Sequence, residues 1–108
     1  MDFREYQVQA QRTSNKELTK GKHLINGALG LCGEAGEVAD LLKKAFMQGH
    51  KIDRSVVAEE IGDVLWYCAE LAEWLGIPLD AIAEQNIAKL KKRYPQGFST
   101  VRSVQREV

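Results

Sequence analysis

The chain reads as an all-α protein with the architecture of a four-helix bundle, and three observations carry that reading. Apolar residues recur at three-to-four-residue spacing through four separate segments, no segment alternates strictly as a strand would, and glycine, proline or short polar runs separate the segments. With 108 residues, 44% apolar and 28% charged, residues 1–108 make one domain of ordinary globular composition.

Each element has its own local signal. Asp2 and Glu5 form a capping box ahead of Phe3, Tyr6, Ala10 and Thr13, which predicts a short first helix. Thr13-Ser14-Asn15-Lys16 and Gly21 read as the connection to a long second helix marked by Leu24, Ala28, Leu31, Ala35, Val38 and Leu42 and ending near Gly49. Asp53 can cap a third helix whose stripe is Val57, Ile61, Val64, Cys68, Leu71 and Leu75, closed by Gly76. Pro78 suits a first helical position, and the fourth helix carries Leu79, Ile82, Ala83, Ile87, Leu90 and Tyr94 before Pro95 stops it. The tail, residues 96–108, is polar enough to be partly mobile.

Charge and composition exclude several functions. Fifteen basic and fifteen acidic residues cancel, so no global field draws the chain to nucleic acid or an anionic membrane, and neither is expected as a partner. Neither a leader-like start nor a membrane-spanning run is present, which predicts a cytoplasmic location. Cys32 and Cys68 both fall on the helical apolar pattern without C-x-x-C spacing, and read as reduced core thiols.

Chemistry concentrates in two acidic pairs. Glu34 and Glu37 on the second helix, and Glu60 and Asp63 on the third, are each three residues apart, so each pair presents two carboxylates on one helix face. Both pairs flank their apolar stripes on the same rotational side, which lets them face each other, whereas Asp40, Glu59 and Glu73 point to solvent. Four carboxylates so placed repel one another unless cations neutralise them, and an all-oxygen donor set suits Mg²⁺, with Mn²⁺ as a substitute. Solvated surface acids are the plain alternative for either pair alone; the matched geometry of two pairs favours a metal site. Gly27, Gly30, Gly33 and Gly36 recur through the second helix and Gly62 adjoins Asp63, each at a cost of about 1 kcal/mol relative to alanine. Close helix packing, or room for a metal's water shell or a phosphate, is the compensation expected.

The run from Ala28 to Lys44 that contains Gly33-Glu34-Ala35-Gly36-Glu37, then Gln48-Gly49-His50, Glu59-Glu60-Ile61-Gly62-Asp63-Val64-Leu65-Trp66-Tyr67 and Asn86 to Pro95, resembles the MazG-like nucleoside triphosphate pyrophosphohydrolases. The likeness extends from the second helix to about Phe98 and is specific in order and spacing. It implies the all-α MazG fold, magnesium ligands at Glu34, Glu37, Glu60 and Asp63, and hydrolysis of a nucleoside triphosphate to monophosphate and pyrophosphate, in a nucleotide-pool cleaning role. Such a reaction needs charge neutralisation and an activated in-line water, and a carboxylate not fully committed to metal can take the water's proton; Glu37 and Glu60 are the two candidates. The resemblance also assigns substrate phosphate to Asn86, Lys89 and, more loosely, Arg93; Asn86 already stands out as an amide interrupting an apolar stripe. Lys91 and Lys92 fit the ordinary preference for cations at a helix C-terminus.

Other residues and readings stay in comparison. His50 suits a helix end better than a substrate contact, His23 shares the ambiguity, and Trp66 and Trp74 fall off the stripe, suiting either a subunit contact or base stacking. Neither histidine has a glutamate three residues before it, as a di-iron bundle needs, and no P-loop motif is present. A phosphoribosyl-ATP pyrophosphohydrolase-like enzyme and a non-enzymatic helical interaction module are the alternatives. Leu29, Leu41, Leu65 and Trp66 lie away from the main seams, so a homodimer or a dimer of dimers is expected.

Overall fold

The computed structural model describes residues 1–106, and the last two positions of the tail lie outside the described residues. Within that span the chain forms α1 (Phe3–Ala10), a 3-10 turn (Gln11–Thr13), α2 (Lys20–Met47), α3 (Arg54–Leu75), α4 (Leu79–Arg93) and α5 (Thr100–Val104), with no strand among the described residues. The all-α class predicted from periodicity is what the molecule adopts. Two boundaries differ from the sequence expectation. Thr19 caps α2 by accepting from the Lys22 amide, so Gly21 lies in the first helical turn, not in the connection. Part of the tail also folds, with the Ser99 hydroxyl accepting from the Arg102 amide to start α5.

The predicted caps are in place. Asp2 and Glu5 complete a capping box on α1. Asp53 Oδ1 accepts from the amides of Ser55 and Val56 at 3.0 and 3.4 Å and from the Ser55 hydroxyl at 2.7 Å, and these bonds hold its carboxyl below the usual range. Gly49 and Gly76 take φ of 75° and 73° just past α2 and at the end of α3, where a side chain is strained. His50 follows Gly49 as an exposed helix-end residue, its amide bonded to the Lys44 carbonyl at 3.0 Å. Pro78 is the residue before α4 and has no side chain able to cap it. Gln7 supplies the cap from α1: its Oε1 accepts from the Leu79 amide at 2.6 Å, and its Nε2 donates to the Ile77 carbonyl at 3.3 Å. A two-pronged Arg4–Asp80 pair, 3.0 and 3.1 Å, ties the same two helices at the surface.

A small core forms where α1 and α4 meet the C-terminal half of α3. Ala10, Ala69, Ala72 and Leu79 are its buried apolar residues, with Tyr6, Leu65, Trp66, Cys68 and Ile82 packed around them. The indole N–H of Trp66 donates to the Ala10 carbonyl at 3.1 Å and to the Thr13 hydroxyl at 2.9 Å, fixing the end of α1 onto α3. Beside this core lies a buried polar group that the apolar pattern did not reveal. Glu70, 1% exposed, accepts from Ser14, Gln11 and Trp74, and Trp74 stacks at 3.7 Å on His23, also 1% exposed. His23 and both tryptophans therefore have structural partners within the chain. The cysteines are both free, but only Cys68 is partly buried; Cys32 sits on the outward side of α2 and is no core thiol, because α2 packs on α3 with one side only.

Candidate metal centre

The α2–α3 pair, the most extensive in the molecule, sets the site. The two helices run antiparallel and meet in steps of about one turn: His23 on Trp74, Gly27 against Leu71, Gly30 against Tyr67. A Cβ on Gly27 would stand 2.8 Å from Leu71 Cδ2, and one on Gly30 would be driven into the Tyr67 ring, so these two glycines permit the close approach. One more turn along α2 is Glu34, and one more turn back along α3 is Asp63. The register thus brings an acid on one helix to an acid on the other.

Glu34, Glu60 and Asp63 each place a carboxylate oxygen within 4.8 Å of the others. Glu34 and Glu60 are half-buried and Asp63 is exposed. A hydrogen bond to Glu34 is the main influence raising the Glu60 carboxyl above its usual range, followed by desolvation and the charges of Glu34 and Asp63. A carboxyl raised by two neighbouring acids marks a place where negative charge is crowded. A hard divalent ion relieves that excess, and the donor set is all oxygen, as Mg²⁺ or Mn²⁺ prefers. The residues present therefore fit a hydrated divalent cation. Gly33, Gly36 and Gly62 are exposed and have nothing within 4 Å of where a Cβ would project, so close helix packing does not require glycine at these positions.

Glu37 stands apart from that group. It is exposed, and its charge helps raise the Lys44 ammonium, after the nearer Asp40. It follows Glu34 by three residues on α2 and lies outside the three-carboxylate group. Tyr6 on α1, which the sequence reading used only as a core residue, feels the site as well: burial first, then the Asp63 charge, pushes its phenol up.

The residues assigned to phosphate lie on α4. Asn86 is exposed there, and Lys89 and Arg93 line a concavity of about 760 Å³ together with Lys92, Arg102 and Arg106, none of the three clustered acids being among its walls. Within the chain the clustered acids and the basic concavity thus occupy separate places. No helix among the described residues is long and apolar enough to cross a membrane.

Comparison with known proteins bears on this arrangement. The family model for the MazG nucleotide pyrophosphohydrolase domain matches residues 24–98, a stretch that holds all four predicted acidic ligands and the basic part of α4. A curated relative, the Gene 37 protein of Mycobacterium phage L5, is 37% identical over 73 residues, and the chain spans only 64% of that protein's length, as the match spans 64% of this chain. No solved structure matches the chain. With the helical fold, the facing acids and a family match over most of its length, the chain belongs to the MazG nucleotide pyrophosphohydrolase family.

Proposed function

We propose that the protein hydrolyses a nucleoside triphosphate to the monophosphate and pyrophosphate, with Mg²⁺ held by Glu34, Glu60 and Asp63 and joined by Glu37. The observation that carries this reading is the cluster of three carboxylates within 4.8 Å on a scaffold of this family. When bound, the ion neutralises phosphate charge and makes a water acidic enough to serve as nucleophile near neutral pH.

The chain's own side chains divide the remaining tasks. Glu34, Glu60 and Asp63 would hold the cation, whose charge would offset the crowding of acids that raises the Glu60 carboxyl. Glu37 lies outside the three-carboxylate cluster and would be less fully committed to the ion, which suits it to accept the proton of the attacking water; Glu60 is the second candidate for that role. Asn86, Lys89 and Arg93, assigned to phosphate by the family resemblance, would supply donors and positive charge for the phosphate chain; within the chain Lys89 and Arg93 line a concavity that none of the three clustered acids borders.

A panel of ribo- and deoxyribonucleoside triphosphates incubated with Mg²⁺ tests the proposal through pyrophosphate release. At least one substrate is expected to give monophosphate and pyrophosphate in equal amounts, and a chelator is expected to stop the reaction. Diphosphate with orthophosphate as products, or turnover indifferent to chelator, contradicts it.

A further inference from the structure

We propose that the basic concavity between the end of α4 and α5 binds single-stranded nucleic acid, at a place separate from the carboxylate cluster. The inference stands whether or not the protein hydrolyses nucleotides.

The zero net charge that speaks against a nucleic-acid partner is the sum of two unlike parts. Residues 85–106 contain six basic residues and no acid, whereas residues 1–84 contain nine basic and fourteen acidic ones. Charge segregated in this way gives one region of a neutral molecule a strong local field. Folding gathers it around one recess. α4 lines the concavity of about 760 Å³ with Lys89, Lys92 and Arg93, and α5 with the residue pair after it adds Arg102 and Arg106. Gly97, at φ 90°, turns the chain back after α4, its amide bonded to the Tyr94 carbonyl at 3.1 Å. Arg102 Nη1 then reaches the Arg93 carbonyl at 3.5 Å. None of the five cations forms an ion pair among the described residues. The dipole of α4 accounts for cations in its own last turn, but not for a second basic set on the same recess.

Spacing and neighbours identify the anion. Lys92 and Arg93 stand one turn along α4 from Lys89, a separation of about 5–6 Å. Phosphodiesters carry single charges one nucleotide apart, which cations so spaced neutralise without a metal. A free triphosphate instead crowds its charge on adjacent phosphates and travels with a divalent ion, for which the walls hold no carboxylate. Aromatic rings occupy the segment that joins the two walls: Tyr94 packs on Phe98 at 5.5 Å, and Phe98 is 76% exposed, a stacking face for a base. A recess of this kind admits the backbone of a strand, whereas readers of a duplex protrude into its grooves.

Fluorescence anisotropy of a labelled deoxythymidine oligomer of about 12 nucleotides, with the intact protein in chelator, tests the proposal. Binding is expected with a Kd of about 1–100 µM, weakening with salt along a log–log slope no steeper than about −3.5, the value for five cations on a single strand. Lys92→Glu, Arg102→Glu and Arg106→Glu together are expected to weaken it at least about tenfold while the melting temperature and the turnover of any triphosphate stay at their wild-type values. Phe98→Ala is expected to weaken it several-fold. Absence of binding at low salt overturns the proposal, as does binding that the triple substitution leaves intact. So does tighter binding of the duplex, displacement of the oligomer by inorganic triphosphate at equal phosphate concentration, or capture by phosphatidylserine vesicles in preference to the oligomer. Loss of turnover in parallel with binding also overturns it, because the recess is then the substrate's own phosphate site.

Discussion

Single side chains at the acidic cluster carry opposite costs with and without a cation. Replacing Glu34, Glu60 or Asp63 by its amide removes one arm of the cation site, and turnover should fall at least about a hundredfold, the scale of losing one electrostatic element of a transition-state site. The metal-free protein should meanwhile melt at the same temperature or higher, because a repulsive charge has gone. Glu37→Gln should match that loss of turnover while retaining more Mn²⁺ affinity than Glu34→Gln, because Glu37 stands outside the three-carboxylate group. Calorimetric Mn²⁺ titration of the two variants makes the comparison; equal losses of affinity would place Glu37 among the full ligands and remove the reason to prefer it as base.

The raised Glu60 carboxyl also predicts a pH dependence. Glu60 has a raised pKa when folded, so its contribution to stability is fully present below the ordinary carboxylate range and is lost as pH rises through the raised value. Melting of the chelator-treated protein should decline across that window. Glu60→Gln should flatten the decline and Mg²⁺ should reverse it. A wild-type profile unchanged by either would mean that the cluster holds no strained proton.

At the scale of elements, caps and glycines make separable predictions. Asp53→Ala removes an acceptor for two backbone amides and a hydroxyl at the start of α3 and should cost about 1 kcal/mol in denaturant unfolding. Gly30→Ala pushes a methyl into Tyr67 and should cost about 1–3 kcal/mol, whereas Gly33→Ala meets open space and should gain up to about 1 kcal/mol from helix propensity. Equal effects at the two glycines would contradict the register in which α2 seats on α3. These two roles were both visible in the glycine repeat, but sequence alone had no means to assign them position by position. That assignment depends on which side of α2 meets Tyr67. Caps were legible because Asp2, Asp53 and Gly76 act within their own turn of chain. Gln7 was not, because its partners at Ile77 and Leu79 are distant in sequence, and α5 was missed because five residues show too little periodicity.

Across the whole molecule, periodicity revealed which faces are apolar and left open what covers them. Leu31, Val38 and Ile61 read as core from spacing alone, and only the folded chain shows Leu31 and Val38 half-buried and Ile61 exposed. Buried polar residues are the converse case. His23 and Glu70 look like surface positions in sequence, yet both are 1% exposed, because the segment after α1 brings Gln11 and Ser14 onto Glu70 and Trp74 stacks on His23. Three of the four expected acids come together, as i, i+3 pairs on adjacent antiparallel helices have few ways to avoid each other, while Glu37, expected with them, stands outside the group. The separation of the basic concavity on α4 and α5 from those acids was not legible, since it depends on how far α4 splays from the pair.

The central claim is water attack at the α-phosphorus of a nucleoside triphosphate. Its most direct test is turnover of a susceptible triphosphate in ¹⁸O-enriched water with Mg²⁺, read by phosphorus NMR. The account predicts one labelled oxygen in the nucleoside monophosphate and none in pyrophosphate. Label in pyrophosphate, or release of labelled orthophosphate, would contradict it.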